Sequence, residues 1–235
     1  MSEFRLSFPA CVIAGKSRLS ADDVILLRKY TFPDGIQTSV DVVTMLALNN
    51  SCPEKCEEWS TFFVETLTHY IVHHCYPQGT LDDINADWIR LMFTTDGVIN
   101  SPSELELVLH IIEVAAHVPA SLSVLALDQL RLALSNGMGA YHLVRGHSGA
   151  RVMPGDLDYV LRVLRGSCGP AISYLTPEQA DAIQRIDRAA VHGSSHPDWH
   201  AFMASLGTRA CRPIESNRSR WLRVSDEFLL DEAAA

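Results

Sequence analysis

Two pairs of residues in this chain have the types and the spacing to hold a metal ion. Cys52 and Cys56 are separated by three residues and stand three residues before Trp59; His192 and His196 have the same separation and stand three residues before Trp199. Thiolate and neutral imidazole are zinc ligands, and structural zinc takes four of them in a tetrahedron. If the two loops meet across a pseudo-twofold axis, Cys52, Cys56, His192 and His196 form one site; otherwise they are two ordinary polar loops. Cys52 and Cys56 also combine with His69 and His73 at the spacing of a two-cysteine, two-histidine zinc module. Such modules carry their cysteines on a β-hairpin, whereas Cys52–Cys56 leads into a helical pattern with Trp59, Phe62 and Phe63. His69, His73, His74 and Cys75 cluster at the end of that pattern, where imidazolium suits the negative end of a helix dipole.

Oxygen ligands are offered by the stretch Thr95-Asp-Gly-Val-Ile-Asn-Ser-Pro-Ser-Glu104, in Asp96, Asn100 and Glu104. It resembles the second half of an EF-hand calcium loop. It also resembles the D-G-x-(Val/Ile)-x-x-x-E signature of the TerB-like (tellurite-resistance) helical domains, and the chain as a whole is more similar to these. The resemblance implies a helical bundle whose acidic residues hold divalent cations, with a role in binding or stress response. The departures matter: Thr94 stands where a calcium loop needs an earlier acid, Pro33 intrudes in a first related turn, and a third reads Cys168-Gly169-Pro170 with no Asp. Turn and cap chemistry accounts for Asp96 and Glu104 equally well. Gly146-His-Ser-Gly-Ala150 resembles the nucleophile elbow of the α/β-hydrolases, with Ser148 as nucleophile and Asp156 or Asp158 and His192 or His196 downstream. That chemistry needs a parallel sheet, for which the chain offers no series of strands. Linker glycines explain the segment.

The elements that would position these residues form a threefold pattern. The stretch Ser20–Ser39 carries Arg28, Asp34, Gly35 and Ser39; Ile84–Ser101 carries Arg90, Asp96, Gly97 and Ser101 at the same spacings. From Pro154 the chain carries Asp156, Arg162 and Gly169 where the first copy has Asp22, Arg28 and Gly35, and Thr176 takes the place of Ser39 after a small insertion. Ser101-Pro-Ser-Glu104 and Thr176-Pro-Glu-Gln179 are helix starts with cap, first-turn proline and a side chain that reaches back; Ser20-Ala-Asp-Asp23 is a weaker version. Periodicity predicts helices at 20–31, 39–50, 56–75, 82–93, 102–117, 119–134, 154–165, 176–190 and 197–210. The fold class is all-α: tandem units of helix, turn, helix and third helix. The expected organisation is an N-terminal bundle of two units over 1–134, a glycine-rich linker over 135–153, a unit over 154–211 that repeats the first, and a tail over 212–235. Trp59-x-x-Phe62 and Trp199-x-x-Phe202 extend the repeat to the third helix.

A net charge of −9 argues against nonspecific binding to nucleic acid or anionic membrane, both of which need excess Lys and Arg. No apolar run reaches membrane-spanning length, the start does not read as a secretory signal, and the six cysteines are scattered, so a cytoplasmic chain with free thiols is expected. The tail, with Trp221, Leu222, Val224, Phe228, Leu229 and Leu230, either packs back on the bundle or docks on a partner; packing back is favoured. These features predict a non-enzymatic binding or regulatory module acting through protein–protein contacts. The alternative is a divalent-metal protein, with zinc or calcium held by the Asp/Glu turn or the Cys/His set.

Overall fold

The computed structural model describes residues 7–146, 149–169, 172, 175–191 and 195–206. Within them eleven α-helices pack together, with two strands of two residues each. A short helix, α1 (Phe8–Ala14), leads into β1 (Arg18–Leu19). The first unit is α2 (Ala21–Leu26), prolonged by a π-helical turn over Leu27–Thr31, then α3 (Ser39–Ser51), β2 (Glu54–Lys55) and α4 (Glu57–Thr68), prolonged over His69–His74. The second is α5 (Asp83–Phe93), α6 (Pro102–Val114) and α7 (Ala120–Asn136). After α8 (Gly139–Arg145) the third follows as α9 (Pro154–Cys168), α10 (Pro177–Ala189) and α11 (Pro197–Leu206).

The helices begin where the cap chemistry demands. Ser20, Thr38 and Thr176 each accept the backbone N–H three residues on, and Asp23, Asp41 and Gln179 reach back to the cap backbone. The cap of the first unit's second helix is thus Thr38, and Ser39 is the first helical residue: this turn is one residue shorter than its counterpart before Ser101. Between Thr95 and Val98 the backbone makes two reciprocal hydrogen bonds of 2.9 Å around Asp96 and Gly97, both at positive φ (51° and 80°). That is a type I′ turn, whose second position Gly fills without steric cost.

A further repeated feature closes each unit. The residues three and one before the first helix's cap meet the segment that follows the second helix. Glu54 N–H donates to Ser17 O and Cys56 N–H to Leu19 O, both at 3.2 Å. In the second unit Ala116 donates to Gly79 and Leu81 to His117, both at 2.9 Å; in the third, Val191 donates to Ala150 at 2.7 Å and His196 to Val152 at 2.9 Å. The tryptophans repeat as well. Trp59 and Trp199 are fully buried, and each indole N–H donates to a polar residue at the same place in the preceding helix: Asn49 at 3.2 Å and Asp187 at 2.8 Å. Each ring also packs on the phenylalanine three residues on, with centroids 6.2 and 5.6 Å apart.

The segment 135–153 differs from the linker expected of its glycines. It contains the end of α7 and all of α8, and Ala140 and Tyr141 are buried against the bundle. The glycines sit at the helix ends, where Gly137 and Gly146 take the left-handed conformation that stops each helix. One core runs from Ala10 to Trp199 without a break, because α10 packs along α7 and α9 along α6. At the α6–α9 crossing Gly166 lets the backbones touch: a Cβ there would lie 2.8 Å from Ile112 Cγ2 and 2.9 Å from Ile112 O. Alanine normally favours a helix over glycine, by about 1 kcal/mol. Gly166→Ala should have the opposite sign and destabilise the chain by roughly 1–3 kcal/mol, measured by urea unfolding.

Candidate functional site

The sequence-predicted ligands fall in different surroundings. Asp96 is exposed at its turn and lines a shallow cleft with Arg90 and Asp128, and Asn100 is exposed. Glu104 is buried, 6% exposed, and its Oε1 accepts from Asn49 Nδ2 at 3.3 Å. Cys52 is buried with its thiol against Ile13 O at 3.4 Å. Cys56 caps α4, and burial pushes its thiol pKa up, further raised by Glu58. His196 turns to Asp198, its Nδ1 accepting the Asp198 N–H at 3.3 Å. His192 and Ser148 lie outside the described residues, as does the tail. Among the described residues no three His, Cys, Asp or Glu side chains group so as to hold a metal ion. His69 and His73 do face one another, with ring centroids 5.6 Å apart, while His74 stacks on Tyr70.

What Glu104 joins instead is a buried polar node between the first two units. Asn49 accepts from Trp59 through Oδ1 and donates through Nδ2 to Ser101 Oγ at 3.0 Å and to Glu104. Burial raises the Glu104 pKa, partly offset by Asn49, the Ser101 backbone and the charge of Lys55. Burial likewise lowers Lys55. The folded state therefore holds the Glu104 proton more tightly than the unfolded chain. Its contribution to stability is greatest in acid and falls as pH rises from the ordinary value of 4.5 through the folded value. Glu104→Gln keeps the acceptor for Asn49 and removes the buried charge. It should stabilise the chain by roughly 1 kcal/mol at neutral pH and change little at pH 4, in paired urea titrations.

The repeated arginines line related clefts at the turns. Arg28, Asp34 and Gly35 face Phe62 and Glu65 of α4; Arg90, Asp96 and Gly97 face Leu125 and Asp128 at the matching places in α7. Arg28 lies over the Phe62 ring, 4.8 Å from its centroid. In the second unit Gln129 spans the turn, accepting from Ile99 N–H and donating to Gly97 O, both at 2.9 Å. The third unit has turned its arginine to another use. Arg162 grips α6 through Glu106 and Glu113, with closest contacts of 2.6 Å, and its guanidinium holds the Glu113 pKa below the usual range. The Arg-to-Gly spacing thus accompanies a corner in each unit, with its arginine differently engaged: over the Phe62 ring in the first and on Glu106 and Glu113 in the third.

The least explained surface is on α5. Ala86, Ile89 and Phe93 face the core. On the opposite side Ile84 and Leu91 recur two turns apart, with Trp88 between them packed at the edge of the core. Ile84 and Leu91 are each 77% exposed, and Trp88 is half-buried, edge-on to Phe93 at 6.1 Å. Tyr76, 86% exposed, is tied to the same end of the helix by Asn85 Nδ2, which donates to Tyr76 O at 3.2 Å. One residue earlier in each turn, Asp83, Asp87 and Arg90 form an exposed polar stripe beside the apolar one. Comparison of the chain with family models, with curated proteins and with solved structures finds no match.

Proposed function

We propose that this chain is a non-enzymatic, cytoplasmic binding module built of TerB-like helical units, and that it engages a protein partner through the outward face of α5. The carrying observation is the pair of large apolar side chains Ile84 and Leu91, both exposed two turns apart on the side of α5 opposite the stripe that faces the core. Large apolar side chains at successive turns, bordered by charge, are the pattern by which a helix is gripped in a partner's groove. Support for a reducing compartment comes from Cys52, Cys56, Cys75 and Cys168, which are unbridged thiols. No described helix is long and apolar enough to cross a membrane.

Ile84→Glu combined with Leu91→Glu tests the reading. Both positions are exposed, so stability should stay within about 0.5 kcal/mol of the parent. Retention of the partner in affinity capture at matched expression should fall at least tenfold, about 1.4 kcal/mol. Unchanged retention by the folded double variant would end the proposal.

A further inference from the structure

We propose that His69 and His73 form a two-imidazole clamp for a divalent transition-metal ion of the zinc class, where α4 and its π-helical continuation border the turn cleft of the first unit.

The two histidines stand four residues apart on the continuation of α4, and both are exposed. Tyr70, Ile71 and Val72 between them are buried, so the core holds the backbone that carries the imidazoles. Their ring centroids lie 5.6 Å apart. Two imidazole nitrogens on one tetrahedral ion, each at about 2.0–2.1 Å, put the centroids roughly 5 Å apart. Ligands at right angles, as in square-planar sites, bring them to roughly 4.5 Å. The observed spacing is nearer the tetrahedral value, which is the geometry zinc takes. Two histidines at this spacing also hold zinc in H-E-x-x-H helices. Here Tyr70 stands where that motif has its glutamate, so the pair carries a metal-binding arrangement without the general base. The cysteines that share the spacing of a zinc module do not join it: Cys52 is in the core against Ile13 O. No third His, Cys, Asp or Glu completes the group among the described residues. The clamp therefore supplies two ligands and leaves the remaining positions to water or to a donor from outside.

The surroundings favour a cation. His69 lines the cleft that also holds Arg28, Asp34 and Glu65, two carboxylates against one guanidinium, and Arg28 is engaged over the Phe62 ring at 4.8 Å. The cleft is also where the helical backbone departs from regularity. The two π-helical turns among the described residues are Leu27–Thr31 and His69–His74, and each gives a residue to it, Arg28 and His69. Such turns are rare and occur frequently at functional sites. His74, the remaining histidine of the same turn, stacks on Tyr70 with centroids 5.5 Å apart and serves as the control.

Zinc chloride is titrated calorimetrically into the full chain under reducing conditions, and into His69→Ala, His73→Ala, their combination and His74→Ala. The thiols are the same in all five proteins, so differences among them read the imidazoles. Positions 69 and 73 are exposed, and their variants should keep the parent's urea midpoint. Losing even an outer partner of a metal ligand weakens binding about 10–100-fold. Losing either His69 or His73 should therefore weaken zinc binding at least about tenfold, while His74→Ala leaves it unchanged. Zinc should raise the melting temperature of the parent and of His74→Ala more than that of the other variants. Zinc binding that survives the combined replacement undiminished would mean an adventitious ion only and would overturn the clamp. A loss of equal size in His74→Ala would overturn the pairing, and a parent that binds no zinc would overturn the proposal outright.

Discussion

Replacing Arg145 by methionine should destabilise the chain by about 3–5 kcal/mol, the usual consequence of stranding one member of a buried ion pair. Arg145 and Asp156 are each 1% exposed at the side chain. The guanidinium donates from Nε to Asp156 Oδ1 at 2.8 Å and from Nη2 to Oδ2 at 2.7 Å. It also donates to Gly149 O at 2.7 Å and to Arg151 O. The carboxylate has two further donors, Tyr141 Oη at 2.9 Å and Met153 N–H at 2.8 Å. Methionine fills much of the volume but leaves a carboxylate with no cation in a site closed to water. The backbone at Ala150–Met153, which carries the bridge to His196, loses its anchor at the same time. At about 2–4 °C per kcal/mol for a chain of this size, the melting temperature should drop by roughly 10 °C. Arg151→Met, at an exposed position six residues on, should stay within about 0.5 kcal/mol. Adding Asp156→Leu to Arg145→Met should recover part of the loss, because an apolar pair can replace a buried ion pair at little cost. Thermal unfolding of the four proteins checks the set.

Trp59→Ala should be of similar size or larger. Removing a fully buried aromatic side chain costs about 3–5 kcal/mol, and the lost indole N–H leaves Asn49 Oδ1 without its donor, adding roughly 1 kcal/mol or more. Asn49 is also the group that holds Glu104 and Ser101, so the loss should spread to the junction of the first two units. Trp59→Phe restores most of the packing and none of the hydrogen bond. The difference between the two variants in urea unfolding therefore separates cavity from bond. Near equality of Trp59→Phe with the parent would mean that the Asn49 bond adds nothing to stability.

The parts of the molecule that were legible in the sequence are those made by local chemistry. Ser20 and Thr176 begin their helices with full capping boxes, Gly35 and Gly97 turn the chain at positive φ, and the apolar spacings after Ser101 and Trp59 become α6 and α4; Ser101 precedes α6 as expected, but its hydroxyl accepts from Asn49 instead of capping the helix, and Ser20, read as the weaker cap, makes the complete one. Two helices were missed, α1 and α8, each of seven residues. Neither is long enough to show a stripe, and in α8 flanking glycines that end helices look like the glycines of a linker. The bridges that close the three units were missed because they use backbone atoms, on which side-chain types leave little trace. For the candidate site the obstacle was different. Spacing shows which residues share a loop and says nothing of what the loop meets. Glu104 had a ligand's chemistry and found Asn49. Cys52 had a ligand's chemistry and lies in the core against Ile13. Ile84 and Leu91 stand out because they stay exposed among the described residues, and only the packing of α5 on the bundle reveals that.

The claim that α5 presents a binding face is tested most directly by crosslinking from that face in cells. p-Benzoylphenylalanine at position 84 of the full chain should give a discrete adduct heavier than the monomer. The adduct should vanish when Leu91→Glu is added, and the same probe at position 158, exposed on α9, should give none. No adduct from position 84, or the same adducts from both positions, would contradict the assignment of α5 as the face that binds.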